Sequence, residues 1–319
     1  MIYIIVLNWK GAADTIACLN SLFFLKDVKF HIVVCDNASP DNSYSDIRDW
    51  LINQKQQSSG YMESCSLIEL TNDDSLHYLI HEEDKSIYLI QTGTNLGYAG
   101  GNNVGIRYAM NQPDMSYVWV LNNDTEVEPD SLYYMIKRCE SDHRIGICGS
   151  RLVYYHDKQK LQGLGGIINP WLCTTKHYAA FEKSDVVFKD DEVEKNIDYI
   201  IGASMLLSRS LLERVGLLCE DYFLYYEEVD LAQRAKPYFK IGVASDSVVY
   251  HKEGASTGGN KSFISDSCYL KNRLLIAKRF FPKSYWVVRV SYIITLFNRL
   301  HRFQLLSFKL CIRLLFTGK

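Results

Sequence analysis

Three apolar runs in this chain each stop at a polar cluster. Residues 2–7 (Ile-Tyr-Ile-Ile-Val-Leu) end at Asn8, Phe30–Cys35 ends at Asp36, and Tyr117–Leu121 ends at Asn122-Asn123-Asp124. Unbroken β-branched and apolar runs are the pattern of strands buried on both faces. At such a strand end Asp124 supplies one carboxylate, and one carboxylate plus phosphate oxygens is how a magnesium-class cation is held, because that ion keeps several waters. Read alone, the same residues also make a polar turn. A second cluster, Tyr225-Tyr-Glu-Glu-Val-Asp-Leu231, carries three carboxylates in four positions behind the aromatic approach Asp221–Tyr226. A solvated acidic face is one reading; burial beside the aromatics would raise a carboxylate's proton affinity and suit it to general-base work. His251 follows the apolar run Ser247–Tyr250, where it is either structural or a metal ligand. In Asn95–Gly105 the glycines at 97, 100, 101 and 105 do not spell G-x-G-x-x-G, which disfavours a dinucleotide-binding dehydrogenase. They still allow backbone to approach a phosphate or sugar closely.

The elements that must position these groups follow from periodicity. Ala12–Phe24 has helical apolar spacing between the first two strands, so residues 2–36 form a βαβ unit, a parallel sheet with ligands at the C-terminal strand ends. Residues 54–86 are polar and irregular and read as an inserted excursion without chemistry. The pattern resumes with a strand over 87–91, a helix opened by the Gly-rich segment, and the strand ending at Asn122. Beyond Gly146 it is mixed: a long loop to about Lys195, a strand at Ile197–Gly202 and a helix from Ser208.

Composition bounds the rest. With 319 residues, 47% apolar and 23% charged, the chain is neither disordered nor fibrous. A net charge of −2 gives no electrostatic case for a nucleic-acid partner. The charge is segregated, however. Eleven of the 35 Lys and Arg lie beyond Asp266, where no Asp or Glu occurs, leaving 24 basic against 37 acidic side chains before it. The longest uncharged stretch after Pro282 is the nine residues Val290–Asn298, too short for the roughly 20 needed to span a bilayer. Projected on one helix, Arg299, Arg302, Lys309 and Arg313 share an arc of about 80°, with Leu300, Phe303, Phe308, Ile312 and Leu315 outside it. That is a basic, apolar interfacial helix suited to an anionic membrane surface, or else a core-packed extension or homodimer interface. Nine cysteines without a CxxC pair or metal spacing read as small buried apolar residues of an intracellular protein. The N-terminal run has no basic start or cleavage site and reads as a strand, not a signal peptide.

Taken together, these segments resemble the inverting family 2 glycosyltransferases with the GT-A fold. The matches are Val6–Trp9, Val34–Ser39, Asn95–Gly105, Leu121–Thr125, Gly202–Leu206, Phe223–Leu231 through Arg234, and His251, in the family's order over residues 2–260. The resemblance implies an α/β fold with a mostly parallel central sheet flanked by helices and a C-terminal amphipathic helical extension. It divides the chain into a catalytic domain at 1–262, with a nucleotide-binding half at 1–125 and an acceptor half at 126–262, and a membrane-associating tail at 263–319. It implies that Asn8, Asp36, Asn95, Gly97, Gly101, Asn102, Asn103, Asn122, Asn123 and Asp124 line the nucleotide-sugar site. Asn122 stands where the family's Asp-x-Asp motif has its first Asp, as in the rhamnosyltransferase-like branch, so Asp124 and His251 would hold a divalent cation, Mg²⁺ or Mn²⁺. Glu228, or its neighbour Glu227, would be the base, with Asp230 and Arg234 on the acceptor side or supporting the residues there from behind. The implied reaction moves one sugar, first of all L-rhamnose from its thymidine diphosphate donor, to a lipid-linked saccharide at the cytoplasmic face of the cell membrane, as in O-antigen or capsule synthesis. Uridine diphosphate donors of galactose, glucose or N-acetylglucosamine are alternatives, and a silent sugar-nucleotide-binding subunit is the rival of another class. A nucleotidyltransferase is disfavoured, because Asn8-Trp-Lys-Gly-Ala-Ala13 is no phosphate loop.

Overall fold

The computed structural model describes residues 1–57, 65–79, 85–252 and 263–318. Parts of the 54–86 excursion, and residue 262 at the expected domain boundary, lie outside the described residues. The first half alternates: β1 (Ile2–Asn8), α1 (Ala12–Leu22), β2 (Phe30–Asp36), α2 (Ser43–Gln56), β3 (Ser66–Thr71), α3 (Asn72–Ser75), β4 (Ser86–Gln91), α4 (Gly97–Asn111) and β5 (Tyr117–Asn122). There follow β6 (Thr125–Val127), α5 (Ser131–Ser141), β7 (Ile145–Tyr154), β8 (Leu161–Gly163), β9 (Gly166–Ile168), β10 (Thr175–His177) and α6 (Asp190–Glu194). Next come β11 (Ser204–Ser208), α7 (Arg209–Val215), α8 (Glu227–Ala235) and β12 (Lys240–His251), followed by α9 (Phe263–Phe280), α10 (Tyr285–His301) and α11 (Leu305–Thr317).

One ten-stranded sheet runs β3-β4-β2-β1-β5-β11-β7-β12-β6, with β8 beside β7. From β3 to β5 every pairing is parallel, while β11 enters antiparallel between β5 and β7. Strand order reverses at β1, which pairs with β2 on one side and β5 on the other, and such a switch point opens a crevice at the strand ends. The register sets Asn8 opposite Asp36 and Leu7 opposite Asn122, so the three polar clusters form one row. β2 is buried throughout, as its unbroken apolar run requires, and β1 nearly so. Two apolar layers, one on each face of the sheet, are closed by α1 and α5 on one side and by α4 and α7 on the other. α4 lies close because of its glycines: a Cβ on Gly105 would stand 2.7 Å from Ile5 Cγ2 and 3.0 Å from Cys35 Sγ. Seven of the nine cysteines are buried, as small apolar residues should be.

Three expectations differ. The 54–86 segment is not irregular throughout: Ser66–Thr71 forms β3, which pairs parallel with β4 at the edge of the main sheet, and Asn72–Ser75 forms α3. Ile197–Gly202 is not a strand; only Tyr199 bridges to Gly166, and β11 starts at Ser204. Its apolar residues are there to fill space beside glycines, Ile200 against Gly149 and Ile197 against Gly165. The single basic helix expected over the tail is two helices. The chain turns at Arg302–Gln304, with Phe303 at φ 55°, and α11 folds back on α10. The shared arc is therefore broken: Arg299 turns inward to pair with Asp266, whereas Arg302, Lys309 and Arg313 are exposed. The inner faces of α9–α11 (Leu270, Leu274, Ile276, Val288, Tyr292, Cys311, Leu314) form one cluster with Tyr222, Tyr226 and Val229, so the extension is core-packed on one side. Its outer side keeps Trp286, Val290, Ile294, Phe297, Phe303, Leu306 and Phe316 exposed. Among the described residues no helix is long and apolar enough to cross a membrane.

The packing of α4 on β1 and β2 yields a direct expectation. Gly105→Ala overpacks that contact and should lower unfolding free energy by about 1–3 kcal/mol. A denaturant midpoint equal to the wild type's would contradict the close helix–strand approach.

Candidate active site

The strand ends are tied together by amides and hydroxyls. Asn8 Nδ2 donates to Asp36 Oδ1 at 2.7 Å, and Thr15 of α1 donates to Asn8 Oδ1 at 2.8 Å. Asn123 Nδ2 donates to Thr15 Oγ1 at 3.0 Å, so one helix residue bridges the ends of β1 and β5. Ser39 serves both Asp36 oxygens, its Oγ donating to Oδ1 at 2.7 Å and its N–H to Oδ2 at 3.0 Å. All of these but Ser39 are buried, and their hydrogen bonds are what make burial of so many polar groups tolerable.

Beside this network the strand pairing of β12 with β6 brings His251 opposite Thr125, next to Asp124, although 127 positions separate the two in sequence. His251 Nε2 lies 3.2 Å from Asp124 Oδ1 and 3.4 Å from Asn122 Nδ2. Its Nδ1 donates to Gln162 Oε1 at 2.8 Å. With Nδ1 committed to Gln162, Nε2 faces the Asp124 carboxylate. Burial pushes the Asp124 carboxyl up, but the hydrogen bond and charge of His251, with Lys252 nearby, outweigh it and hold the group below the usual carboxylate range. Asn122 Oδ1 is buried without a hydrogen-bond partner among the described residues.

Across the cleft, Tyr225 and Tyr226 take left-handed backbone, φ 70° and 75°, and turn the chain into α8 so that Glu227 and Glu228 open the helix. Non-glycine residues hold that conformation only when the surroundings impose it. Tyr226 is fixed by its hydroxyl, which donates to the Cys173 carbonyl at 2.7 Å, and Asn272 of α9 donates to the carbonyls of Leu224 and Tyr225. Glu227 is buried and Glu228 half-buried; one oxygen of each lacks a hydrogen-bond partner among the described residues. Burial raises the Glu227 carboxyl well above its ordinary range, and the Glu228 charge raises it further. Burial pushes Glu228 up to about 7, with backbone hydrogen bonds opposing. Two interacting carboxyls titrate as a pair. Glu228 alone of the two lines a cavity of about 350 Å³.

Tyr98 joins the two halves. Its hydroxyl donates to the Gly202 carbonyl at 2.6 Å and feels the charges of Glu227, Glu228 and Asp124 together, and with burial these raise its own proton affinity. The Tyr98 N–H donates to the Phe223 carbonyl at 2.8 Å, pinning α4 to the segment before α8. Gly97, at φ 72°, permits that approach, since a Cβ there would stand 2.5 Å from the Phe223 carbonyl oxygen.

Other expected site residues serve the scaffold. Gly101 packs on Leu7, and Asn103 clasps Leu218 through both ends of its amide. Asn102 Nδ2 donates to Tyr98 O within α4, leaving its Oδ1 without a partner among the described residues. Asn95 caps the turn, accepting from Gly97 N and Asn37 Nδ2. Asp230 and Arg234, expected on the acceptor side, point away from the cavity. Asp230 pairs with Arg234 at 2.5 Å and Arg279 of α9 at 3.2 Å, while Arg234 donates to the carbonyls of Val215 and Leu217. The reason is helical geometry, which turns Asp230 about 200° from Glu228. Sequence reading missed Tyr98, Gln162 and Thr15; only Tyr98, inside the Gly-rich segment, carried a signal.

The Glycosyl transferase family 2 model matches residues 72–216, which include Asn122–Asp124 and stop short of α8. Over 293 residues the chain is 26% identical to the low-salt glycan biosynthesis hexosyltransferase Agl10 of Haloferax volcanii, covering 91% of this chain and 78% of that protein. It is 26% identical over 192 residues to an N-acetylglucosaminyl-diphospho-decaprenol L-rhamnosyltransferase of Mycobacterium tuberculosis, covering 54% and 61%. In structure it is similar to GalNAc-T7 with UDP, GalNAc and Mn²⁺ at a TM-score of 0.63 and 11% identity, over 90% of this chain and 49% of that one. It is also similar to the mannosyltransferase PcManGT of Pyrobaculum calidifontis, in complex with GDP-Man and Mn²⁺, at 0.55 and 14%, over 87% and 64%. The chain thus spans about half the length of the first structure and under two thirds of the second. Sequence match and architecture agree as far as each reaches: residues 72–216 match the glycosyl transferase family 2 model, and the chain has the fold of the GT-A glycosyltransferases.

Proposed function

We propose that this protein is an inverting glycosyltransferase that moves one hexose or deoxyhexose from a nucleotide diphosphate donor to a saccharide acceptor at the cytoplasmic face of a membrane. The observation that carries the reading is the facing pair of clusters: a donor-side Asp124–His251 pair at the sheet switch point and an elevated carboxyl, Glu228, opening onto a separate cavity. A silent binding subunit would have no need of the second. In this reading residues 1–262 hold donor and base, with Asn8 and Asp36 beside the nucleotide, and 263–319 form the membrane-facing extension.

The donor-side residues fit a divalent cation. Asp124 Oδ1 and His251 Nε2 converge at 3.2 Å, and the buried Asn122 Oδ1 beside them has no partner among the described residues. Asp124 and His251 would hold Mg²⁺ or Mn²⁺, which supplies charge to stabilise the departing diphosphate. Gln162, by holding Nδ1, orients the His251 ring for that role. Glu228 accepts the acceptor hydroxyl's proton as its oxygen attacks the anomeric carbon from the face opposite the leaving group, which inverts that centre. Glu227 is driven toward its protonated form, because burial and the neighbouring Glu228 charge both disfavour a second negative charge there.

Two further features support the acceptor side. α10 is apolar on its outer face (Trp286, Val290, Ile294, Phe297), with exposed Arg302, Lys309 and Arg313 close by, the complement of an anionic lipid surface. A membrane-bound enzyme of this kind suits a lipid-linked acceptor in cell-surface polysaccharide assembly. For the donor, thymidine diphosphate rhamnose is the first choice, in keeping with the rhamnosyltransferase relative, and uridine diphosphate hexoses come second. Nucleotide diphosphate release from a panel of donors, with extracted lipid-linked glycans, tests the reading; no release from any donor would refute it.

Within that assay Glu228→Gln should bind donor normally yet lose transfer by about 10²–10⁴-fold, whereas Glu227→Gln, which mimics the protonated acid, should keep most of it. Equal losses would show that the roles are misassigned. Because the base works only when deprotonated, transfer should fall about tenfold per unit of pH below about 7 and level off above it; a flat profile from pH 5 to 8 would exclude Glu228. Mn²⁺ binding in the presence of nucleoside diphosphate, followed by electron paramagnetic resonance, should be lost in Asp124→Asn; retention would place the ion elsewhere. Co-sedimentation with phosphatidylglycerol vesicles should exceed that with phosphatidylcholine and drop at least about tenfold in I294E/F297E; equal partition by the variant would exclude the α10 face.

A further inference from the structure

The cavity beside Glu228 is closed by the C-terminal extension. Its walls include Tyr199, Tyr225 and Tyr269, with Glu228 on one side and Asp266 of α9 and Arg299 of α10 on the other. Asp266 and Arg299 form an ion pair through Oδ1 and one guanidinium nitrogen, and both side chains are largely buried. Arg299 Nη1 donates to Gln304 Oε1 at 3.1 Å, which leaves one group on each partner open. Asp266 Oδ2 and Arg299 Nε are buried and without a hydrogen-bond partner among the described residues, as is Glu228 Oε2, whose residue lines the same cavity. A buried acceptor and a buried donor left open side by side are costly, and a ligand that fills both removes the cost.

The chemistry of the pocket narrows that ligand. Aromatic walls offer apolar faces, while a carboxylate and a guanidinium held side by side present an acceptor next to donors. A pyranose ring, apolar on its C–H faces and lined with vicinal hydroxyls at its edge, matches both, and about 350 Å³ is within the usual range for a small-ligand site. A phosphate is a poorer match, because the guanidinium of Arg299 is already paired with the Asp266 carboxylate.

We infer that Asp266 and Arg299 form the acceptor-reading pair of this enzyme, binding two adjacent hydroxyls of an acceptor pyranose and so directing a further hydroxyl to Glu228. The extension thereby has two working faces: α10 turns Arg299 into the pocket and its apolar residues outward. This inference rests on the transferase reading above, and its test separates the two.

Saturation-transfer NMR on the full chain with nucleoside diphosphate present, using a panel of methyl glycopyranosides, should detect at least one saccharide. Asp266→Asn and Arg299→Gln should weaken that binding, and raise the acceptor KM, by about ten- to hundredfold while the donor Kd is unchanged. The exchange D266R/R299D controls for folding, since it keeps an ion pair between α9 and α10 but reverses its polarity toward the pocket. A merely structural pair predicts that the exchange restores saccharide binding and KM along with thermal stability, and that result would overturn the inference. So would unchanged binding in Asp266→Asn, or no saccharide binding by a wild-type chain that still releases nucleotide from its donor. Absence of release from every donor would instead remove the transferase reading, and this inference with it.

Discussion

The position of β1 between β2 and β5 is the constraint on which the site depends. A parallel strand flanked on both sides by parallel neighbours has its polar terminus at the crest of the sheet, and the register places Asn8 opposite Asp36, with Asn122 one position back. A shift of one residue would turn every side chain of β1 to the opposite face and separate those termini. The burial of β1 and β2 forbids that shift, so the apolar core and the donor-side geometry are specified by the same residues.

Electrostatics divides the cleft into two parts. Asp124 is held ionised by His251 and Lys252 despite its burial, whereas burial drives Glu227 and Glu228, which form no ion pair with a cation among the described residues, toward the protonated form. Carboxyls with opposed proton affinities suit opposed tasks, one standing against a leaving diphosphate and one accepting a proton. Tyr98 lies between them, and its hydroxyl, bound to the Gly202 carbonyl, fills the gap with a dipole in place of a third charge.

The C-terminal extension packs as one body with α8 and the segment before it. Arg279 reaches Asp230 on α8, Asn272 holds the carbonyls of Leu224 and Tyr225, and the tyrosines at 222, 226 and 292 share one apolar cluster. The left-handed pair at Tyr225–Tyr226 is thus braced from outside the region matched by the family model. The backbone conformation that presents Glu228 depends on helices that follow it in sequence.

Much of this was legible in the chain itself. Unbroken β-branched runs announced β1, β2, β4 and β5, because burial on both faces requires them locally, and the polar residues at their ends located the crevice. The carboxylate pair at 227–228 and the lone histidine at 251 were visible as residue types at strand and helix ends. What the sequence left open was decided by contacts between distant residues. Gln162 reaches His251 across 89 positions, Asp266 meets Arg299 across 33, and Arg279 reaches Asp230 across 49. Apolar pattern reports burial but not conformation, which is why Ile197–Gly202 fills space beside glycines instead of forming a strand. The tail folds back at Phe303 with no Gly or Pro at the turn to signal it, and that reversal carries Arg299 from the expected membrane face into the pocket. Local free energies are written in sequence; the pairing of buried polar groups is settled only when the core brings them together.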